Sequence, residues 1–370
     1  MKFTVSKENF FNVLQKVSNV TPIRSTLPIL SCILFTVKDN TLKMRSTDLE
    51  ITMAASCDIQ MEEEGAIAIP SKIIKEITSE LPNTLLNFNI EDEQVIITTE
   101  LGGEYKIMGH PAMEFPTEPI IDDSKTITLQ ADKFKRIVEK TGFAVSRDEM
   151  KVALNGVLFQ FSKNELRAVS TDGHRLVKYT LKEFQGVEDI KDIIVPPKFL
   201  NLCVNSIRDV EFVTLRIGHN HIMLELKDTT IYSRIIEERF PDYESVIPTE
   251  NNKEVLVVID ELLSVVKRVG IFASKNTRQI SLNFSNNSVL IKAEDIETAS
   301  TAKEKISLEY KGEDFVIGYN SDYLREMIRH IDGEKVDIYL KNALMAGLFF
   351  PTEQQSDEEI LFLLMPIRLM

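Results

Sequence analysis

A unit of about 124 residues, present three times, constrains the fold of this 370-residue chain more than any other feature. Three segments open alike: FTVSKENFFNVLQKV from Phe3, ITLQADKFKRIVEKTG from Ile127 and VLVVIDELLSVVKRVG from Val255. Each reads as a short apolar strand, a polar cap and an amphipathic helix, with Ser6, Asp132 and Asp260 as the expected caps. Apolar residues recur at three- and four-residue spacing, as at Phe10, Val13, Leu14 and Val17, which puts them on one helix face. A hairpin follows in each copy, turning at Asn40, Asn164 and Asn287, and asparagine tolerates the positive φ such turns use. Ser46-Thr47-Asp48 and Ser170-Thr171-Asp172 come next, 124 residues apart; the third copy reads Ala293-Glu294-Asp295.

The second half of each copy repeats the first. It opens AIAIPSKIIKEI at Pro70, DIIVPPKFLNLCV at Pro196 and DFVIGYNSDYLREMI at Gly318, again strand, breaker and helix. Alternating strands follow, with Val213, Leu215 and Ile217 on one face, and likewise Val336, Ile338 and Leu340. Phe115-Pro116 and Phe240-Pro241 close the first two copies, 125 residues apart. The expected fold is α+β, with domains over 1–122, 123–249 and 250–370. Each domain has two similar halves of one helix and about four antiparallel strands. The six helices are expected at 7–17, 71–81, 131–142, 197–208, 260–270 and 321–331.

Charge is distributed against the overall balance. The chain carries 43 basic and 57 acidic residues, net −14, which argues against coating nucleic acid by bulk charge. The six expected helices hold 14 basic and 9 acidic residues, so they sum to +5 and the remainder to −19. That segregation suits a positive inner surface within an acidic shell. No run of about 18 apolar residues occurs, and MKFTVSKENFF lacks an apolar signal segment, so a cytoplasmic protein with no membrane partner is expected. Cys32, Cys57 and Cys203 are far apart and fit buried thiols in a reducing compartment.

Catalysis is not expected. Asp172-Gly173-His174-Arg175 resembles a catalytic loop superficially, but a histidine base needs a nucleophile and an orienting partner. His219-Asn220-His221 sits at an expected hairpin turn. Glu62-Glu63-Glu64 and Asp357-Glu358-Glu359 read most simply as solvated loops. No phosphate-binding glycine loop, dinucleotide fingerprint, HExxH or paired cysteine ligands occur, so neither cofactor nor metal is expected.

The whole chain resembles the bacterial sliding-clamp family, the beta subunits of DNA polymerase III. The resemblance rests on the opening MKFTV, Thr26-Leu27-Pro28-Ile29-Leu30, Ser170 through Leu176, Arg239-Phe240-Pro241-Asp242-Tyr243 and Met365-Pro366-Ile367-Arg368-Leu369. Met370 follows the leucine on which the family usually ends. The resemblance implies a head-to-tail homodimer closing a ring of six similar domains around duplex DNA, helices inside and sheets outside. Twelve helices at roughly 9 Å spacing give a ring about 35 Å across, leaving roughly 23–25 Å of clearance for a double helix.

The same resemblance assigns residues. Arg24, Lys72 and Lys151 match DNA-contacting positions, whereas Val152 and Ala153 stand where the family often has aromatic residues. A partner-peptide pocket between the second and third domains would use Leu154, Thr171, Gly173, His174, Arg175 and Leu176 on one wall. Pro241 and Val246 would form a second wall. The tail residues Leu363, Leu364, Met365, Pro366, Ile367, Arg368 and Leu369 would complete it. His174 and Arg175 would hydrogen-bond peptide carbonyls, and Ser245 replaces an arginine common at the pocket edge. The ring seam would pack Tyr105 and Ile107 against Ile271 and Phe272. The implied partners are a second copy of the chain, double-stranded DNA without sequence preference, and the replicative polymerase catalytic subunit. The clamp loader, and other polymerases and repair factors carrying a short clamp-binding peptide, complete the set. The alternative is a non-catalytic structural repeat protein that binds only protein partners.

Overall fold

A computed structural model of the chain describes every residue except 123, 185–189 and 370. Six α-helices stand within two residues of the expected positions: α1 (Lys7–Ser18), α2 (Ser71–Glu80), α3 (Ala131–Thr141), α4 (Pro197–Ser206), α5 (Ile259–Gly270) and α6 (Ser321–Arg329). Of the three expected caps only Ser6 serves, its Oγ accepting from the Asn9 N–H at 3.3 Å. Asp132 and Asp260 lie inside the first turns of α3 and α5, where a carboxylate meets the positive end of the helix dipole instead. Asn40 and Asn287 adopt the expected left-handed backbone, each with φ of 55°. Asn164 does not; that turn is closed by the Ser162 N–H and Oγ, which both donate to the Glu165 carbonyl.

The chain forms two compact units that divide the central repeat between them: residues 1–134 with 198–235, and 135–197 with 236–370. Sheet pairing is the reason. In the first unit, strand Ile51–Asp58 of the first repeat pairs antiparallel with Thr229–Arg234 of the central one, from Ile51 opposite Ser233 to Ala55 opposite Thr229. In the second unit, Arg175–Lys182 of the central repeat pairs with Glu358–Leu364 of the third, Arg175 opposite Leu364 and Leu181 opposite Glu358. Each pairing fuses five strands of an outer repeat and four of the central one into one nine-stranded antiparallel sheet. A ladder of backbone hydrogen bonds binds the halves more tightly than a linker could.

Each unit also has a smaller sheet. The first unit has five strands ending at Glu104–Met108, and the second has four ending at Ser300–Ser307. Both end strands pair on one side only among the described residues. The helices bury their apolar faces against the sheets. Phe10, Leu14 and Val17 of α1 are fully buried, and Phe10 meets Phe88 at 4.9 Å between ring centres. Leu262, Val265, Val266 and Val269 do the same from α5. Cys32 and Cys203 are buried thiols, as expected, whereas Cys57 is half-buried, its thiol pushed up to about 11 by burial and by Asp58.

One expectation fails in an informative way. Glu358, read as part of a solvated acidic run, opens the last strand and is 2% exposed. Its carboxylate accepts a bidentate pair from Arg136 of α3, at 2.9 Å from Nε and 2.6 Å from Nη2, and a further bond from the Tyr179 hydroxyl. Arg136 also reaches Asp332 at 2.7 Å, and the fully buried Lys140 reaches the same carboxylate at 2.6 Å. Four charges thus hold α3 of the central repeat onto the third.

Candidate functional site

The loop Thr171–Arg175 is shaped by local hydrogen bonds that the first repeat reproduces. Thr171 Oγ1 donates to the Arg175 carbonyl at 2.6 Å and accepts from the Gly173 N–H at 3.1 Å. Asp172 Oδ1 accepts from the N–H groups of His174 and Arg175. In the first repeat Thr47 donates to Ile51 and accepts from Leu49, and Asp48 accepts from Glu50 and Ile51. Ser46 and Ser170 donate to the carbonyls of Val17 and Thr141, each at 2.6 Å. Position 173 needs positive φ, 91° at Gly173 and 76° at Leu49, so glycine relieves there a strain that leucine bears. The loop is therefore a property of the repeat. What distinguishes the second copy is His174 and Arg175 in place of Glu50 and Ile51.

Arg175 does not offer its guanidinium to a ligand. It is 7% exposed, with Nε on Asp172, Nη1 on Glu326 at 2.7 Å and Nη2 on the Phe143 carbonyl at 2.9 Å. The rings of Phe143 and Tyr323 cover it from 5.1 and 4.9 Å. It rivets the loop to α6, which corrects its expected role as a donor to peptide carbonyls. His174 stays exposed and stacks on Tyr323 at 5.5 Å between ring centres.

The tail residues split into buried and exposed. Leu363 and Leu364 are buried, as is Leu176, and Thr171 is 8% exposed. Leu363 and Leu176 join an apolar cluster with Leu158, Tyr243, Ala346, Leu348 and Leu361. Met365 and Leu369 are 40% and 36% exposed, Arg368 is exposed, Pro366 and Ile367 are half-buried, and Val246 on the opposite wall is 52% exposed. Leu154 is half-buried, and Pro241 and Ser245 are exposed. The Met365 N–H donates to the His174 carbonyl at 2.8 Å, and the Ile367 N–H to the Gly318 carbonyl at 2.8 Å. A Cβ at position 318 would stand 2.6 Å from the Ile367 carbonyl oxygen, so only glycine lets the tail lie across that strand. Sequence reasoning missed Tyr323, Phe143, Glu326 and Ala346. Gly318, where the first two repeats have Ala68 and Ile194, was the one available signal. Met370 lies outside the described residues.

The remaining site residues separate by exposure. Arg24 and Lys72 are exposed, and neither has an ion-pair partner among the described residues. Lys151 is exposed too, but its Nζ leans onto the Asp172 carbonyl at 3.4 Å, which ties it to the pocket loop. Ile271 and Phe272 are 76% and 40% exposed, Tyr105 is half-buried, and Ile107 is 5% exposed. Ile107, on the edge strand, is nearly buried within the single chain. The observed helices carry 13 basic and 9 acidic residues, and Lys16, Arg136, Lys140, Lys198, Arg268 and Arg325 take part in internal ion pairs. Among the described residues no group of three His, Cys, Asp or Glu side chains could hold a metal ion. No described helix is long and apolar enough to cross a membrane.

Comparison with known proteins gives three family matches along the chain. Family models of the DNA polymerase III beta subunit match in order: its N-terminal domain over residues 1–119, its central domain over 128–242 and its C-terminal domain over 244–368. The beta sliding clamp of Pseudomonas putida is 31% identical across the full length of both chains. Among solved structures, the sliding clamp of Bartonella birtlesii bound to griselimycin superposes with a TM-score of 0.95 at 25% identity, covering both chains fully. The sliding clamp of Pseudomonas aeruginosa gives 0.92 at 28% identity, again over both chains.

Proposed function

Because the chain belongs to the family of DNA polymerase III beta subunits, the beta sliding clamps, we propose that it encircles duplex DNA as a homodimeric ring and tethers replication proteins to it. The family is one of non-catalytic processivity subunits. The observation that carries ring closure is the pair of leftover sheets. Each junction between repeats is a sheet of five plus four strands, and the two smaller sheets, also five and four, each end on an edge strand unpaired among the described residues. Pairing Glu104–Met108 of one copy with Ser300–Ser307 of another would make a third such sheet. An edge left open this way invites addition of a strand. Ser300–Ser307 alternates Lys303 and Lys305 with Glu304, charges that discourage indiscriminate pairing.

Ile271 and Phe272 supply the exposed apolar contact at that seam, with Tyr105 opposite. Light scattering is expected to give a dimer of about 84 kDa, twice the chain mass of 42.2 kDa. Changing Ile271→Ala and Phe272→Ala together should yield monomer, since removing two large interface anchors costs several kcal/mol. A persistent dimer in that variant would place the seam elsewhere.

Arg24, Lys72 and Lys151 are our candidates for DNA contact. The pocket of Met365, Leu369, Val246 and His174, floored by Leu176 and Leu363, is the candidate site for a partner peptide. Its apolar rim, with a flexible methionine, suits an extended peptide bearing two or three apolar anchors in the micromolar range. The occupants we propose are the polymerase catalytic subunit, the clamp loader, and other polymerases and repair factors. Deleting residues 365–370 should abolish binding of such a peptide in a fluorescence-polarisation titration while leaving the dimer mass unchanged. Unaltered affinity would remove the tail from the site.

A further inference from the structure

Resting on the pocket reading above, we propose that Glu244, held by Arg167 and Lys178, is a latch that positions the pocket's linker wall and so sets its affinity for peptides. Glu244 is a positioning residue, three residues after Pro241 and two before Val246. The linker here crosses the second nine-stranded sheet, with Ile236, Phe240 and Ile247 packed against its apolar cluster. Between them lies a cleft of about 430 Å³ floored by Leu158 and Ile194. Polar contacts hold it beside Val246. Tyr243 is buried and its hydroxyl donates to Gln160 Oε1 at 2.6 Å. Beside it, Glu244 Oε1 lies 3.3 Å from Arg167 Nη1 and 3.6 Å from Lys178 Nζ.

The first repeat contains the same device in a tighter form. Lys43 lies 124 positions before Arg167, and it holds Glu118 of the preceding linker at 2.8 Å, with Arg45 at 3.3 Å. The Tyr232 hydroxyl adds a third bond to Glu118 at 3.1 Å. The Glu118 side chain is 27% exposed against 49% for Glu244, and Arg167 is shared with Glu165. The fold thus pins both linkers by one acidic residue. It leaves the pocket-side latch half in water, where ion pairs are weak and screened by salt. A weakly held wall can shift to fit different peptide side chains.

The test is fluorescence polarisation on the full-length protein with a short, uncharged apolar peptide, titrated at low ionic strength and at about 0.5 M salt. Wild type should bind more weakly at high salt although the peptide has no charge. Glu244→Gln should raise Kd roughly three- to tenfold at low salt and lose the salt dependence. Arg167→Met should act in the same direction, and combining it with Glu244→Gln should add less than the sum of the two. Wild-type affinity and salt slope in Glu244→Gln, with an unchanged melting profile, would overturn the latch. The deletion of residues 365–370 separates the two readings. If it abolishes binding while Glu244→Gln is silent, only the latch falls; if it too is silent, the pocket assignment falls with it.

Discussion

Once loaded onto nicked circular DNA, the protein is expected to survive a wash in about 0.5 M salt and to leave within minutes when the circle is cut once. A binder that depends on phosphate contacts loses affinity by orders of magnitude over that salt range, because bound cations are released from DNA on association. Contact of that kind is not available here in quantity. The six helices carry 13 basic and 9 acidic residues, and Lys16, Arg136, Lys140, Lys198, Arg268 and Arg325 are engaged in ion pairs. What remains can give a weak, sliding attraction across water. A closed ring needs no more, since topology does the holding. Retention should not depend on base sequence, since topology rather than contact with base edges holds a ring in place. Equal retention on linear and circular DNA after the wash, or loss from circles by salt alone, would refute encirclement.

Arg136→Met is expected to destabilise the second unit by about 3–5 kcal/mol in denaturant unfolding of the full chain. The substitution strips both Arg136 hydrogen bonds from the Glu358 carboxylate, whose side chain is fully buried, and weakening the compensation of a buried charge is costly. Replacing both partners, Arg136→Met with Glu358→Leu, should recover most of the loss, because an apolar pair of similar volume avoids desolvating either charge. A single variant within about 0.5 kcal/mol of wild type would show the pair to be dispensable. The same cluster carries a pH signature. Burial opposes ionisation of Asp332, but Lys140 and Arg136 more than offset it and hold its carboxyl below the ordinary value. Its contribution is therefore present above the unfolded aspartate range near pH 4 and fades as pH falls through the lower folded value. Asp228, held by Lys16 in the first unit, follows the same rule.

Helix positions, the threefold repeat and the apolar faces were legible in the sequence because they depend on local periodicity and on spacing that repeats along the chain. All six helices lie within two residues of their expected bounds, and the Ser-Thr-Asp loops recur with the same hydrogen bonds 124 residues apart. The residues proposed for the pocket were named only through resemblance, and their division into buried and exposed was not legible. Leu364 and Met365 are neighbours in sequence, yet one is fully buried and the other 40% exposed, because the strand ends between them.

The tertiary structure decided everything that depends on pairing across long separations. Arg136 and Glu358 are 222 residues apart, and nothing local distinguishes Glu358 from the acids beside it. Arg175 reads as a ligand-binding cation until Glu326, 151 residues away, and the rings of Phe143 and Tyr323 enclose it. Periodicity shows which face of an element is apolar. Which charges that face will meet is settled by the sheets, whose hydrogen bonds join repeats that the sequence only lays end to end.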